Sequence, residues 1–109
     1  MAKGGIAGRV TENQVAFAAC QIAATMTNGI ATFQRMKRDI PTYLALSAAD
    51  QQRSETRPNE ELWEQLIRNI KSHSNQEGNY IYEGYLEHLP RVGYRITPAG
   101  RSHLLTGRP

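Results

Sequence analysis

The chain has a single cysteine, Cys20, among its 109 residues, so no internal disulfide can form. No apolar run approaches the roughly 20 residues that a membrane span needs. The opening MAKGGIAGR has a basic start but no apolar stretch after it, so a secretory signal is not expected. Together with the lone cysteine, this points to a cytoplasmic protein. Cys20 lies among alanines at helical spacing, where a small buried hydrophobe is expected rather than a reactive thiol. Catalytic signatures are also missing. The three histidines, His73, His88 and His103, form no H-x-x-x-H pattern, and there is no C-x-x-C, G-x-S-x-G, P-loop or G-x-G-x-x-G. A paired-carboxylate site stays open from sequence alone, because any two of ten acids could meet in space. The expectation is a non-enzymatic chain that needs no cofactor and no metal.

Neither sign of charge dominates: thirteen Lys and Arg stand against ten Asp and Glu, for a formal net charge of +3. Placement is more informative than the sum. Arg35, Lys37 and Arg38 cluster, Arg53 and Arg57 flank a polar stretch, and Arg68 and Lys71 share a helical segment. Arg91, Arg95 and Arg101 surround a turn. Basic groups spread over several elements can converge on one phosphate-facing surface, or simply form a solvated exterior.

What is present reads as one domain, preceded by a Gly-rich flexible arm over residues 1–10 in which Lys3 and Arg9 could touch a phosphate. Thr11 to Thr27 is the clearest helix, with Thr11 and Gln14 at capping-box spacing and Asn28-Gly29 as a stop. Its alanines imply close approach to another helix. Ile30, Phe33, Met36 and Ile40 fit one face of a second helix that Pro41 ends or divides. Tyr43, Leu44 and Leu46 are expected in the core, and Ser47 to Asp50 as a cap over a brief turn. Residues 51–58 read as an exposed loop.

The stretch from Arg57 to Arg101 organises the rest. Asn59 is the expected N-cap of a third helix, with Glu60, Glu61 and Glu64 at its positive end. Leu62, Trp63, Leu66, Ile67 and Ile70 form its apolar face, leaving Gln65, Arg68, Asn69, Lys71 and Ser72 outward or near its end. Leu86–Leu89 and Tyr94–Ile96 alternate as paired strands around Pro90-Arg91-Val92-Gly93, and Thr97-Pro98 opens a last helix that anchors Leu104 or Leu105. Tyr80, Tyr82 and Tyr85 could pack the sheet on the helices or form a stacking platform. The expected fold is α+β, a winged helix: three main helices, a β-hairpin wing and a C-terminal helix over residues 11–109.

The run GYRITPAGRSHL resembles the wing-to-last-helix passage of bacterial winged-helix domains. With Trp63 and Asn69 on the preceding helix, the larger pattern is similar to the winged-helix domains of Mrr-type and HNH-linked, modification-dependent restriction endonucleases. The resemblance covers roughly residues 12–105, although 74–85 is longer than a minimal helix-to-wing connection. It implies duplex DNA as partner, with the third helix in the major groove and the wing on the backbone. It further implies a reader of N6-methyladenine in restriction, possessing no nuclease signature of its own and therefore linked to or associated with a nuclease.

Carried onto this chain, Trp63 is the aromatic to meet a methyl group, or else a core residue. Gln65, Arg68 and Asn69 are base-edge contacts; Arg91 and Arg95 are wing contacts; Arg57, Asn59, Lys71 and Ser72 complete the DNA-binding set. Arg68 is expected to carry sequence preference and Arg91 to act uniformly. A small phage- or plasmid-type regulator, which should dimerise, and a protein-docking winged helix are the alternatives. A reader domain could be monomeric.

Overall fold

The computed structural model describes residues 8–109, so the flexible arm expected over residues 1–10, Lys3 included, falls almost wholly outside the described residues. Arg9 and Val10 belong to the fold. The Val10 amide donates to the buried Asp50 carboxylate at 3.0 Å, and Arg9 Nε lies 3.8 Å from the same group.

Helix α1 runs over Glu12–Ala24 and is started by a reciprocal cap: Gln14 N–H donates to Thr11 Oγ1, and Thr11 N–H to Gln14 Oε1. It ends at Ala24, three residues short of the expected Thr27. Val15, Ala18, Ala19, Ile22 and Ala23 are buried, and small side chains let α1 pack against two helices and two strands as well as the C-terminal helix. Burial pushes the Cys20 thiol up to about 12, which makes it inert at neutral pH.

Ile30–Thr32 is strand β1, not the first turn of the second helix. Helical and extended spacing cannot be told apart over three residues, and the neighbouring strand decides the matter. Helix α2, Phe33–Tyr43, begins only after Thr32, whose Oγ1 accepts from the Arg35 amide. Pro41 lies inside α2 rather than ending it. It stands on the exposed face one turn beyond Lys37, where water can satisfy the carbonyl that the ring leaves free. Two further residues of helix then carry Tyr43 outward, 40% exposed and not in the core, while Leu44 and Leu46 pack against it.

Helix α3 spans Leu62–Ser72. The expected Asn59 cap is displaced: Glu61 holds the N-cap position, and its amide donates to Glu64 Oε1 at 2.8 Å. Asn59 lies in the exposed turn before it. Strands β2, Leu86–Leu89, and β3, Gly93–Ile96, pair antiparallel as expected, and β1 adds to the other side of β3, giving the order β1-β3-β2. A side chain at Gly93 would place its Cβ 2.0 Å from the Ala31 carbonyl oxygen, so glycine there lets β1 close on β3. The left-handed residue at the tip is Arg91, with φ of 64°. Thr97 caps helix α4, Pro98–Leu104, on which Leu104 packs inward and Leu105 is 89% exposed.

The described residues therefore form an α+β fold of four helices and a three-stranded antiparallel sheet. Among them, no helix is long and apolar enough to cross a membrane.

Candidate nucleic-acid interface

Helix α3 is fixed from below. Trp63, Ile67 and Ile70 are buried, and the Tyr94 hydroxyl on β3 donates to the Ile67 carbonyl at 2.7 Å. Burial pushes the Tyr94 phenol up to about 12, so it remains a donor through the physiological range. The opposite face of α3 holds Lys71 and Ser72 exposed, with Arg68 and Asn69 half-buried beside them. Ser72 Oγ turns back to the Arg68 carbonyl, and Lys71 is exposed beside it.

Two of the expected contacts are withdrawn by this packing. Trp63 is 3% exposed, and its indole N–H donates to Glu61 Oε1 at 2.9 Å. An aromatic ring on the apolar face of an amphipathic helix buries more surface than any alternative placement, so Trp63 is core and cannot meet a methylated base. Gln65 is engaged as well. Its Nε2 donates to Ser54 Oγ at 2.6 Å and to Thr56 Oγ1 at 3.2 Å, which ties α3 to the preceding loop. It is a positioning residue.

That loop is built, although its sequence has no apolar member between Gln51 and Pro58. Ser54 is buried and its Oγ accepts from the amides of Thr56 and Arg57. Ser54 N–H donates to the Glu60 carbonyl, Glu60 N–H to the Arg57 carbonyl, and Arg53 Nη1 to the Pro58 carbonyl. A bridge between Arg53 and Glu61 closes the loop at its base. The outcome is a tight turn that holds Arg57 and Asn59 outward, beside the start of α3.

Glu60 connects this turn to two helices. Its Oε1 accepts from Arg68 Nη2 on α3, and its Oε2 lies 3.6 Å from Lys37 Nζ on α2. Burial alone would raise the Glu60 carboxyl. The hydrogen bond and charge of Arg68, with Lys37 and Arg57 adding to them, hold it below the usual carboxylate range. Phe33, Lys37, Glu64, Ile67 and Arg68 line a groove of about 220 Å³ between α2 and α3.

The wing is short. Arg91 is exposed at its tip, and the next carbonyl, that of Val92, accepts from the Phe33 amide at the start of α2. Arg95 does not share a face with α3. The register pairs it with Glu87 on the outer sheet face, where the two side chains form an ion pair at 2.8 Å, whereas His88 and Tyr94 point inward. Burial, then the charge of Lys71, lowers the His88 pKa.

The structure thus gathers Arg57, Asn59, Arg68, Asn69, Lys71 and Ser72 on the α3 side and keeps Arg91 at the tip; it encloses Trp63, ties Gln65 to the preceding loop and sets Arg95 exposed on the outer face of the hairpin. Lys37, Glu60 and Phe33, read from the sequence as a member of a basic cluster, an acid at a helix start and an apolar-face residue, join this face. The Phe33-x-x-x-Lys37 spacing, four apart on one helix, was the available signal. Tyr80 is buried, Tyr85 stacks on His103 at 4.1 Å, and Tyr82 stands apart and exposed, so the three tyrosines form no common platform. No three His, Cys, Asp or Glu side chains gather as metal ligands among the described residues. Compared with known proteins, the chain matches no family model, no curated protein and no solved structure.

Proposed function

We propose that the chain is a winged-helix module that binds duplex DNA, with α3 offered to the major groove and the β2–β3 turn to the backbone. The order helix, strand, helix, helix, two strands, helix, with β1 joining the hairpin edge, is compatible with such a module. The carrying observation is that α3 is anchored by Trp63, Ile67, Ile70 and the Tyr94 hydrogen bond. Arg68, Asn69, Lys71 and Ser72 on its other side are thereby held at fixed positions facing out. Helix-borne Arg, Asn and Lys suit base edges and phosphates, and a rigid mounting lowers the entropic cost of docking them.

A reader of N6-methyladenine acting with a nuclease is the narrower form of this proposal. Since Trp63 is enclosed, that form must use another ring. Phe33, half-buried at the edge of the α2–α3 groove, is the aromatic ring that lines that groove.

The test is a titration against a randomised duplex, adenine-methylated in one sample and unmethylated in the other, at two salt concentrations. Duplex binding predicts affinity that falls by about 0.9 log unit per log unit of salt for each phosphate contacted. A preference for the methylated pool that survives higher salt would support the reader. Absence of binding to either pool would overturn the proposal in favour of a protein-docking winged helix.

A further inference from the structure

We propose that Lys37, Arg57 and Arg68 form one site for a backbone phosphate of duplex DNA, assembled over the Glu60 carboxylate, and that Arg68 grips this phosphate rather than a base edge. The site rests on the duplex-binding reading and deepens it. Its cations come from three separate elements: Lys37 from α2, Arg57 from the turn, Arg68 from α3. The Glu60 side chain is 15% exposed, while those of Lys37 and Arg68 are 42% and 41% exposed. The acid thus lies beneath and the cations lie above it. Glu64 lines the same groove, so two carboxylates offset two of the three positive charges and the group keeps a net charge of about +1 toward solvent. An ammonium has three donors and a guanidinium five, and the contacts with Glu60 occupy few of them.

The surroundings are shaped to match. Lys37 and Arg68 border the groove of about 220 Å³, and Arg57 and Glu60 border a second depression of about 290 Å³ lined also by Thr56, Pro58 and Asn59. Ser54 fixes the Arg57 amide and, through Gln65, the distance from that turn to α3. The other basic cluster on α2 lacks this construction. Arg35 and Arg38 pair with Asp39 on their own helix, a local arrangement that any solvated helix can form.

A phosphate contact positions the duplex without reading its sequence. Its signature is therefore a uniform loss on mutation and a flatter salt dependence. The experiment measures the full chain, with Lys37→Ala, Arg68→Ala and Arg108→Ala variants, against a panel of duplex sequences across a salt series. Lys37→Ala and Arg68→Ala should each weaken binding about three- to tenfold on every duplex and lower the salt slope by about 0.9. Lys37→Arg should restore the slope, and Arg108→Ala, at the exposed C-terminus, should change neither quantity. If the wild type binds in a salt-dependent way while Lys37→Ala keeps its affinity and slope, the phosphate site is overturned and duplex binding stands. A changed order of preference among duplexes for Arg68→Ala would equally overturn it. Failure of the wild type to bind any duplex would remove both.

Discussion

Two long connections, residues 45–61 before α3 and 73–85 after it, differ in composition and are opposite in use. Each is polar, and each buries a polar side chain: Asp50 and Ser54 in the first, Asn79 in the second. Asn79 works inward. Its Nδ2 donates to the Ile70 carbonyl at 2.9 Å and to Glu12 Oε2 at 3.2 Å, and its Oδ1 accepts from the amides of Ile81 and Tyr82. The segment it shapes drops Tyr80 into the core. Glu12 also meets His73 Nδ1 at 2.6 Å, so α1, the end of α3 and this connection are fastened at one point.

Asp50 and Ser54 instead shape backbone that presents charge. Asp50 gathers the Ser47 amide and hydroxyl and the Val10 amide, and its own carbonyl receives the Trp63 amide. Ser54 forms the turn bearing Arg57. The lesson is that a buried polar residue is understood from where its hydrogen bonds lead, and one connection is a clamp while the other is a platform.

Mutations can break or sharpen that contrast. The largest loss is expected for Asn79→Ala, which leaves two amides and the Ile70 carbonyl without their partner. Urea denaturation should show about 2–4 kcal/mol less stability, with duplex affinity per folded molecule unchanged. Asp50→Ala should cost about 2–3 kcal/mol by the same measurement, because charged acceptors make the stronger hydrogen bonds. Ser54→Ala should cost only about 1 kcal/mol yet weaken duplex binding on all sequences, since Arg57 loses its support. If Ser54→Ala destabilised as much as Asn79→Ala and left binding intact, the distinction between clamp and platform would fail.

The smallest effect is one of pH. Because the folded-state pKa of His88 is lowered, its contribution to stability is complete above the ordinary imidazole value near 6.5. It is lost as pH falls through the folded value. Thermal melting from about pH 7.5 to about pH 5.5 should show a slight fall that His88→Gln flattens.

Local signals carried much of the fold. The Thr11–Gln14 cap, the alanine spacing of α1, the alternation of β2 and β3 and the Thr97-Pro98 start of α4 are each set by neighbours within a few positions, so the sequence displays them directly. The site was less legible. Arg57, Arg68, Lys71 and Arg91 could be recognised as outward cations, but not the way Lys37, Arg57 and Arg68 converge on Glu60, across sequence separations that no periodicity spans.

By itself, then, the sequence determined the caps of α1 and α4, the hairpin and the apolar face of α3, because short-range hydrogen bonding and side-chain periodicity suffice for them. Tertiary structure alone decided that Ile30–Thr32 is a strand, since the open edge of β3 supplies its partners. It also decided that Glu61 and not Asn59 begins α3, because the Leu62 and Trp63 amides are drawn to the Gln52 and Asp50 carbonyls. It enclosed Trp63, and it turned Arg95 to the outer sheet face. In each case the competing local preferences differed by little, and burial or hydrogen bonding to a distant segment was the larger free energy.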